Sequence, residues 1–488
     1  MKKKYLRSKT PLKSKALKSR PFSGCIILRF AYEYAYFEGN NLLDFAQKYQ
    51  LKGLYDLLTG EYKPKSIQRQ VSSISMDKLK QLEDRAKEVK LPPFIVQRSG
   101  LKPLRSLSNY WRLDYKNTKQ DLTKIAGLFG ELQEVDLAYK ELLAYDAEVY
   151  YRNDPHYAKQ LYWDAAPKGI DAKWVWEIEK IEGQGVGLID LEQGWKLPHQ
   201  DLSAAHPSLI VHTNADGING YQGAHGTNTL GVVAAADNAM GIVGIAPSLQ
   251  YVKLASHYHS GEPGYVADAI GKVLEELHDG KIRKGDVLLL EVQRGDYPVE
   301  VDDSDFCAIQ LACDLGIVVV EAAGNGGYDL DEWHDSSGCH RLNQAHRFHF
   351  EDSGAIIVGA ARAEPPAYDE HDRKGSSNFG NRVDCYAWGE NVATTGGDGR
   401  LSGRDSFTAA DDFTTAFGGT SAASAIIAGA AILLQCYYKR KRRRTLSSYE
   451  VRFLLSNPST GTPQGNGMTG HIGVMPDLRK ILENPYVL

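Results

Sequence analysis

The stretch Gly185-Val186-Gly187-Leu188-Ile189-Asp190-Leu191 is almost continuously apolar and is the first of five such segments in the second half of the chain. The other four cover residues 251–256, 287–292, 317–321 and 355–359, with helical patterns such as 266–277 and 306–315 between them. Apolar strands that alternate with helices indicate a parallel sheet with helices on both faces. We therefore expect an α/β domain over residues 153–488.

The first third of the chain has a different pattern. Residues 1–22 form a basic tail, and residues 23–150 contain strand patterns at 25–30, 110–115 and 135–139. Helical patterns follow the first two strands, and a polar stretch rich in Lys, Arg and Ser separates the two halves. The sequence therefore predicts a small N-terminal α+β domain.

The composition is that of an ordinary globular protein, with 42% hydrophobic and 24% charged residues. The 57 basic and 61 acidic residues give a net charge of −4, which does not indicate a nucleic-acid partner. No stretch has the length of a transmembrane helix, and no recognisable signal peptide is present. Six cysteines without metal-ligand spacing favour free thiols and a cytoplasmic location, with a Cys339–Cys385 bridge as the alternative.

A candidate nucleophile lies in Gly418-Gly419-Thr420-Ser421-Ala422-Ala423-Ser424-Ala425, directly before an apolar helix. A serine hydroxyl becomes a useful nucleophile only when a base removes its proton and the oxyanion is stabilised. A helix N-terminus exposes such a hydroxyl and supplies backbone N–H groups. The alternative is that Ser421 is a simple helix cap.

Two further glycine-rich motifs complement this serine. His225 lies in Gly223-Ala224-His225-Gly226-Thr227 at the start of a helix of small residues, where a histidine is accessible. Asn325 follows Gly324 in a tight turn at the end of the strand 317–320, where its amide can donate to an oxyanion. Taken singly, these are an ordinary surface histidine and an ordinary Asn-Gly turn.

In their order, acid, His, Asn and Ser, these motifs resemble the subtilases over residues 153–488. Gly244-Ile245-Ala246-Pro247 and Ser377-Asn378-Phe379-Gly380 add to the resemblance. It implies a serine endopeptidase acting on proteins or peptides, with Ser421 as nucleophile, His225 as base, Asn325 as oxyanion donor and no required cofactor. The α/β-hydrolase pattern is excluded because no G-x-S-x-G surrounds Ser421. The alternative is an inactive binding or scaffold protein on a peptidase fold.

The acid departs from the family pattern. A gapless alignment on Gly194 and on His199-Gln200-Asp201-Leu202 puts the acid position on Glu192, whereas Asp190 requires a two-residue insertion. Both side chains lie on the same side of the strand, because its side chains repeat every two residues. We expect Glu192 to orient His225, with Asp190 as its neighbour or substitute. Two such close carboxylates would raise the pKa of one of them.

The strand edge that binds substrate in the family also departs from its usual Ser-Leu-Gly. Here it reads Glu291-Val292-Gln293-Arg294-Gly295, and we expect Glu291, Val292 and Gly324 to contact substrate. Glu321 lies near the same expected pocket. Two carboxylates there would favour a basic residue before the scissile bond, unless local donors such as Arg294 satisfy both of them.

The resemblance also implies a structural Ca²⁺ and an inhibitory segment. Asp201 and Asn238 match positions that bind Ca²⁺ in many relatives, and carboxylate and amide oxygens are suitable ligands. By position and by its β-α units, the N-terminal domain looks like the inhibitory propeptide of the family. The competing interpretation is a recognition domain that is never removed.

Overall fold

The computed structural model describes residues 22–37, 39–87, 106–116, 118, 120–142, 144–146, 160–197, 199–211, 223–237, 242–259, 262–363, 371–396 and 413–484. The strands in chain order are β1 (Phe22–Phe30), β2 (Ser66–Arg69), β3 (Tyr110–Asp114), β4 (Val135–Leu142), β5 (Ala144–Asp146), β6 (Gly187–Glu192), β7 (Ser208–Val211), β8 (Tyr251–Ser256), β9 (Val287–Leu290), β10 (Val292–Arg294), β11 (Tyr297–Pro298), β12 (Val318–Ala322), β13 (Ile356–Ala361), β14 (Cys385–Trp388), β15 (Val392–Thr395), β16 (Phe413–Phe417), β17 (Gly461–Pro463) and β18 (Val474–Pro476).

The α-helices are α1 (Leu42–Lys48), α2 (Lys52–Thr59), α3 (Met76–Lys87), α4 (Leu122–Gly130), α5 (Ala172–Glu177), α6 (Gly223–Ala234), α7 (Val266–His278), α8 (Asp303–Asp314), α9 (Gly419–Tyr437), α10 (Ser448–Leu455) and α11 (Leu478–Glu483). A short π-helical segment, Tyr438–Arg442, continues α9. The capping box predicted by Ser447 and Glu450 is present at the start of α10.

A nine-stranded sheet in the order β17-β18-β14-β13-β12-β9-β6-β8-β7 forms the centre of the second half. Its neighbouring strands are parallel except for the β17–β18 pair. Successive side chains of β6 enter different cores: Leu188 packs on the side of α9, and Ile189 packs on the side of α7 and α8. This alternation is why the strands read as continuously apolar, and both faces of the sheet are covered as predicted.

The N-terminal part contains a four-stranded antiparallel sheet in the order β2-β3-β1-β4. One face packs on α1, α2 and α4 around Phe45, Trp111 and Phe129. From the other face, Ile27 and Tyr110 join helix α3 in the core that contains α7 and α8. The predicted fold class, a parallel α/β sheet with a small α+β domain, is confirmed. The polar stretch between the halves contains β2 and α3, which the sequence did not predict.

Two further predictions concern a possible disulfide bond and the length of the apolar stretches. None of the six cysteines forms a disulfide bond, so the alternative Cys339–Cys385 bridge is wrong: Cys385 is buried in β14, whereas Cys339 lies half-buried in a loop. Within the described part of the chain, the helix Gly419–Arg442 is long and apolar enough to span a membrane by length and composition. The prediction that no stretch has this length is therefore wrong, but the most apolar window of the helix is wholly buried inside the protein, as in a core helix.

Candidate active site

A histidine and a glutamate form a buried pair at the carboxyl edge of the central sheet. Glu192 is the last residue of β6, and His225 lies in the first turn of α6. The Glu192 Oε2 and Oε1 atoms lie 2.8 Å and 2.9 Å from His225 Nδ1. Thr229, one helical turn after His225, donates its hydroxyl to Glu192 Oε1 at 3.0 Å. The carboxylate is therefore fixed against Nδ1, which leaves Nε2 for proton transfer.

The alternative acid, Asp190, has a different contact. Its Oδ2 accepts a 2.7 Å hydrogen bond from Trp195 Nε1, and both side chains are buried. The carboxylate that lies against the His225 ring is that of Glu192, the residue selected by the gapless alignment.

Ser421 lies in the first turn of α9, fully buried. The helix follows β16 through Gly418 and Gly419, and Gly419 has a φ of 77°, which favours glycine. Phe417, the last residue of β16, makes a T-shaped ring contact with His225, with 5.7 Å between the ring centroids. Because Phe417 lies two residues before α9, this contact brings the N-terminus of α9, which carries Ser421, towards the histidine.

The turn after β12 brings Asn325 to the same helix. Asn325 Oδ1 accepts a 3.0 Å hydrogen bond from the backbone N–H of Thr420, the residue before Ser421. Gln293 Oε1 accepts from the Asn325 backbone N–H at 3.1 Å and lies 3.5 Å from its side-chain Nδ2. At Gly324 the φ is 92°, and a Cβ would come within 2.5 Å of the Asp296 carbonyl oxygen, so this turn requires glycine.

The expected substrate edge pairs with a segment from the N-terminal part of the chain. Strand β10, which includes Val292, lies between β11 and β5 in a three-stranded antiparallel sheet. The register pairs Val292 with Asp146 and Gln293 with Tyr145. An extended piece of this chain thus lies along the edge where the resemblance predicts substrate.

The prediction that Glu291 and Glu321 form one acidic pocket is wrong. Glu321 of β12 pairs in register with Leu290, so the next residue, Glu291, points to the opposite face. Glu321 Oε1 accepts from the Glu300 backbone N–H at 3.0 Å, and burial with the nearby Glu300 raises the Glu321 pKa well above its ordinary value. Glu291 Oε1 instead accepts a 2.6 Å hydrogen bond from Ser424 Oγ in α9. The structural basis for a preference for basic residues is therefore lost.

Arg294, the local donor expected for those two carboxylates, has other ion-pair partners. Its Nε lies 2.8 Å from Asp305 Oδ2, and its Nη1 lies 3.6 Å from Glu141 Oε1 of β4. All three side chains are fully buried. Arg294 therefore links the substrate edge to the N-terminal sheet.

Of the two residues predicted to bind Ca²⁺, Asp201 is described and Asn238 lies outside the described residues. Asp201 is buried, and its Oδ2 accepts a 2.9 Å hydrogen bond from the Ile242 backbone N–H. Its carbonyl oxygen accepts from Ala236 N–H at 2.8 Å. Asp201 thus holds both ends of the segment that contains the other predicted ligand, and its carboxylate has the oxygen donors that Ca²⁺ prefers.

Four residues that orient the site were missed in the sequence. Thr229 lies four residues after His225, and Ser424 lies three residues after Ser421. Helical spacing alone would therefore have placed Thr229 next to His225 and Ser424 next to Ser421. Trp195 and Gln293 contact Asp190 and Asn325 across separate segments, and no local pattern signals such contacts. The missed residues fix the orientation of the acid, the oxyanion donor and Glu291.

The nine-stranded, mainly parallel sheet with helices on both faces is a subtilisin-like fold, and it carries a buried Glu–His pair and a serine at a helix N-terminus. The sequence model of the subtilase family matches residues 191–474. This chain therefore belongs to the subtilase family.

The relatives agree with this assignment. The chain is 28% identical over 242 residues to the "Intracellular serine protease" of Paenibacillus polymyxa, covering 47% of this chain and 64% of that protein. It is 27% identical over 236 residues to the "Major intracellular serine protease" of Bacillus subtilis, covering 47% and 65%. The match thus spans just under two thirds of each relative. Fervidolysin from Fervidobacterium pennivorans has the same fold, with a TM-score of 0.55 at 16% identity, covering 96% of this chain and 62% of that one.

Proposed function

We propose that this chain is a serine endopeptidase that hydrolyses peptide bonds through an acyl-enzyme on Ser421. The observation that carries this proposal is the buried Glu192–His225 pair, whose histidine ring contacts Phe417, two residues before α9. Family membership and the peptidase names of the relatives support it.

The residues of the site supply each step of an acyl transfer. His225 Nε2 accepts the Ser421 hydroxyl proton. Glu192 accepts a hydrogen bond from Nδ1–H and stabilises the imidazolium that forms. The Asn325 side-chain amide and the Ser421 backbone N–H donate to the oxyanion. His225 then returns the proton to the leaving amine, and water releases the acyl group by the same route. No cofactor takes part in these steps.

Protein or peptide substrates would bind as an extended strand along β10, next to Val292 and the Gly324 turn. The antiparallel pairing of β5 with β10 supports this geometry, because main-chain hydrogen bonds of that kind do not depend on side-chain identity. The same pairing supports an inhibitory role for the N-terminal domain, since β5 occupies the edge that a substrate needs.

The contacts of the N-terminal domain further support that role. Tyr139 donates its hydroxyl to Asp302 Oδ1 at 2.5 Å, at the start of α8. Asp268 Oδ1 in α7 accepts from Ser73 N–H at 2.7 Å. In the proposed division, residues 23–150 form the inhibitor and residues 153–488 the catalytic domain. A recognition domain that is never removed is the competing proposal.

Covalent labelling tests the proposed activity. A fluorophosphonate probe should label the wild-type protein, and peptide mapping by mass spectrometry should locate the adduct on Ser421. An inactive scaffold would give no adduct at Ser421. Profiling the labelled enzyme on a peptide library would then define its cleavage preference.

Asn325→Ala should lower kcat by on the order of 10²–10³ with little change in KM, because the oxyanion forms only after attack. Steady-state kinetics on a peptide substrate measure both constants. Asn457→Ala, in a turn after α10, is the matched control and should leave both unchanged. A rise in KM alone would assign Asn325 to substrate binding instead.

If the N-terminal domain is an inhibitor that the enzyme removes, wild-type protein should shorten on incubation and Ser421→Ala should not. The cut should fall in the connector of residues 143–154, in the part that follows β5, because this part continues from the strand that pairs with β10. Intact-mass measurement and N-terminal sequencing locate it. An intact N-terminus in a fully active enzyme would favour the recognition domain.

Two further proposals concern location and metal content. A cytoplasmic location is supported by six cysteines that form no disulfide bond and by the word "intracellular" in the names of both relatives. A structural Ca²⁺ at Asp201 and Asn238 is supported by the Asp201 carboxylate, which is buried and accepts a hydrogen bond from the Ile242 backbone N–H. Fractionation of the host cell and elemental analysis of the purified protein test them.

A further inference from the structure

Three side chains with metal-binding atoms meet at the candidate active site. Glu192 comes from β6, His225 from α6, and Glu291 from the end of β9, and all three are fully buried. One possible ligand atom of each lies within 4.8 Å of the others. Among the residues that the structure describes, this is the group of three His, Cys, Asp or Glu side chains whose ligand atoms all lie within that distance.

We propose that Glu192, His225 and Glu291 form a binding site for a divalent transition-metal ion such as Zn²⁺, which switches the peptidase off. The regulatory part of this proposal rests on the proposed function, whereas the binding site itself does not. One imidazole nitrogen and two carboxylate oxygens are ligands that Zn²⁺ accepts.

The distances suit such an ion after a small adjustment. Tetrahedral Zn²⁺ with bonds of about 2.0–2.2 Å needs ligand atoms roughly 3–3.5 Å apart. Glu192 Oε2 and His225 Nδ1, at 2.8 Å, are already close. Glu291 must approach by at most about 1–2 Å, which rotation about its side-chain torsions can provide. Two carboxylates and one neutral imidazole also balance the charge of a dication in a buried place.

Glu291 is the residue that turns the catalytic pair into a three-ligand site. Ser424 Oγ donates to Glu291 Oε1 at 2.6 Å and is itself held near the Thr420 carbonyl oxygen at 2.8 Å. A hydrogen-bonded neighbour of this kind orients a carboxylate ligand and strengthens metal binding. The subtilase pattern has a small serine at this strand end, so the third ligand is a feature of this chain.

A metal ion here would block catalysis through the tautomer of His225. An ion on Nδ1 occupies the position of the proton there, so the single ring proton of the neutral imidazole moves to Nε2. That nitrogen can no longer accept the Ser421 proton. Removal of the ion by a chelator restores the original tautomer, so the inhibition is reversible.

The binding test uses full-length Ser421→Ala protein, which cannot digest itself. Its Zn²⁺ affinity is measured by competition with a chromogenic chelator. Adding Glu291→Gln should weaken the site by at least about tenfold, because one direct ligand is lost. Glu321→Gln, an equally buried glutamate on the neighbouring strand, is the matched control and should leave the affinity unchanged. Zn²⁺ bound at surface histidines is common to all three proteins and cancels in the comparison.

Equal affinity in the Glu291→Gln protein and its parent, or no Zn²⁺ bound beyond the surface sites, would overturn the proposal. If Glu291→Gln does not fold, as judged by circular dichroism, His225→Ala takes its place, and unchanged affinity there is equally decisive. In a separate arm, Zn²⁺ should abolish wild-type peptidase activity and EDTA should restore it. A wild-type protein without peptidase activity would contradict the proposed function. If Zn²⁺ binding still depended on Glu291, the proposed metal site would be unaffected by that result.

Discussion

Ser421→Ala is expected to lower kcat by on the order of 10⁶ and to abolish fluorophosphonate labelling, while the protein stays folded. Only the nucleophilic oxygen is lost, and alanine is well tolerated in the first turn of α9 among Ala422 and Ala423. Initial rates on a peptide substrate measure the loss, and the melting temperature checks the fold.

A suitable control is Ser456→Ala, at the C-terminal cap of α10, which should keep full activity. The purification must exclude traces of wild-type enzyme, because residual rates at this level are easily due to contamination. Unchanged activity in Ser421→Ala would overturn the assignment of the nucleophile and with it the proposed mechanism.

Glu192→Gln should lower kcat by on the order of 10⁴. The amide keeps the shape of the side chain but can donate its N–H to His225 Nδ1, which leaves the ring proton on Nε2 and removes the base. Glu192→Asp should also be impaired, because the shorter side chain cannot reach Nδ1 from the same backbone position. Single-turnover kinetics with a chromogenic peptide ester measure the acylation step directly.

Asp190→Asn is the matched comparison, two residues earlier on the same side of β6. Its carboxylate accepts from Trp195 Nε1, and an asparagine oxygen can accept the same hydrogen bond. The change should therefore affect kcat far less and act mainly through stability. The opposite ranking, with Asp190→Asn dead and Glu192→Gln active, would assign the triad acid to Asp190.

The central sheet could be predicted because its strands carry their own signal. Residues 185–191 and 287–292 are apolar apart from Asp190 and Glu291, and they correspond to β6 and β9 with shifts of up to two residues at their ends. Helix α3 was missed although it carries a local signal: most of its residues favour helices, and Leu79, Leu82 and Ala86 recur at helical spacing. Its many charged side chains make the segment look like a polar linker. What the sequence does not show is the partner of this apolar stripe, which is buried in the core that contains α7 and α8.

The site shows the same division. His225, Asn325 and Ser421 lie in glycine-rich motifs at helix or strand ends, where local sequence already marks a functional turn. The relation of Glu291 to Glu321 depends on the register between β9 and β12, which neither strand encodes alone. A difference of one residue in register separates Glu321, which accepts a hydrogen bond from the Glu300 backbone, from Glu291, which lies close to His225.

The β5 strand is joined covalently to the domain whose cleft edge it covers, and this has a consequence for how activity would depend on dilution. A short tether gives a bound segment an effective concentration on the order of millimolar, which a free substrate at micromolar concentration cannot match. After a cut in the connector, the same contact becomes bimolecular and weakens as the protein is diluted. A concentrated preparation of the cleaved protein would then remain inactive as a peptidase. A diluted preparation would become active with no further change in its covalent structure.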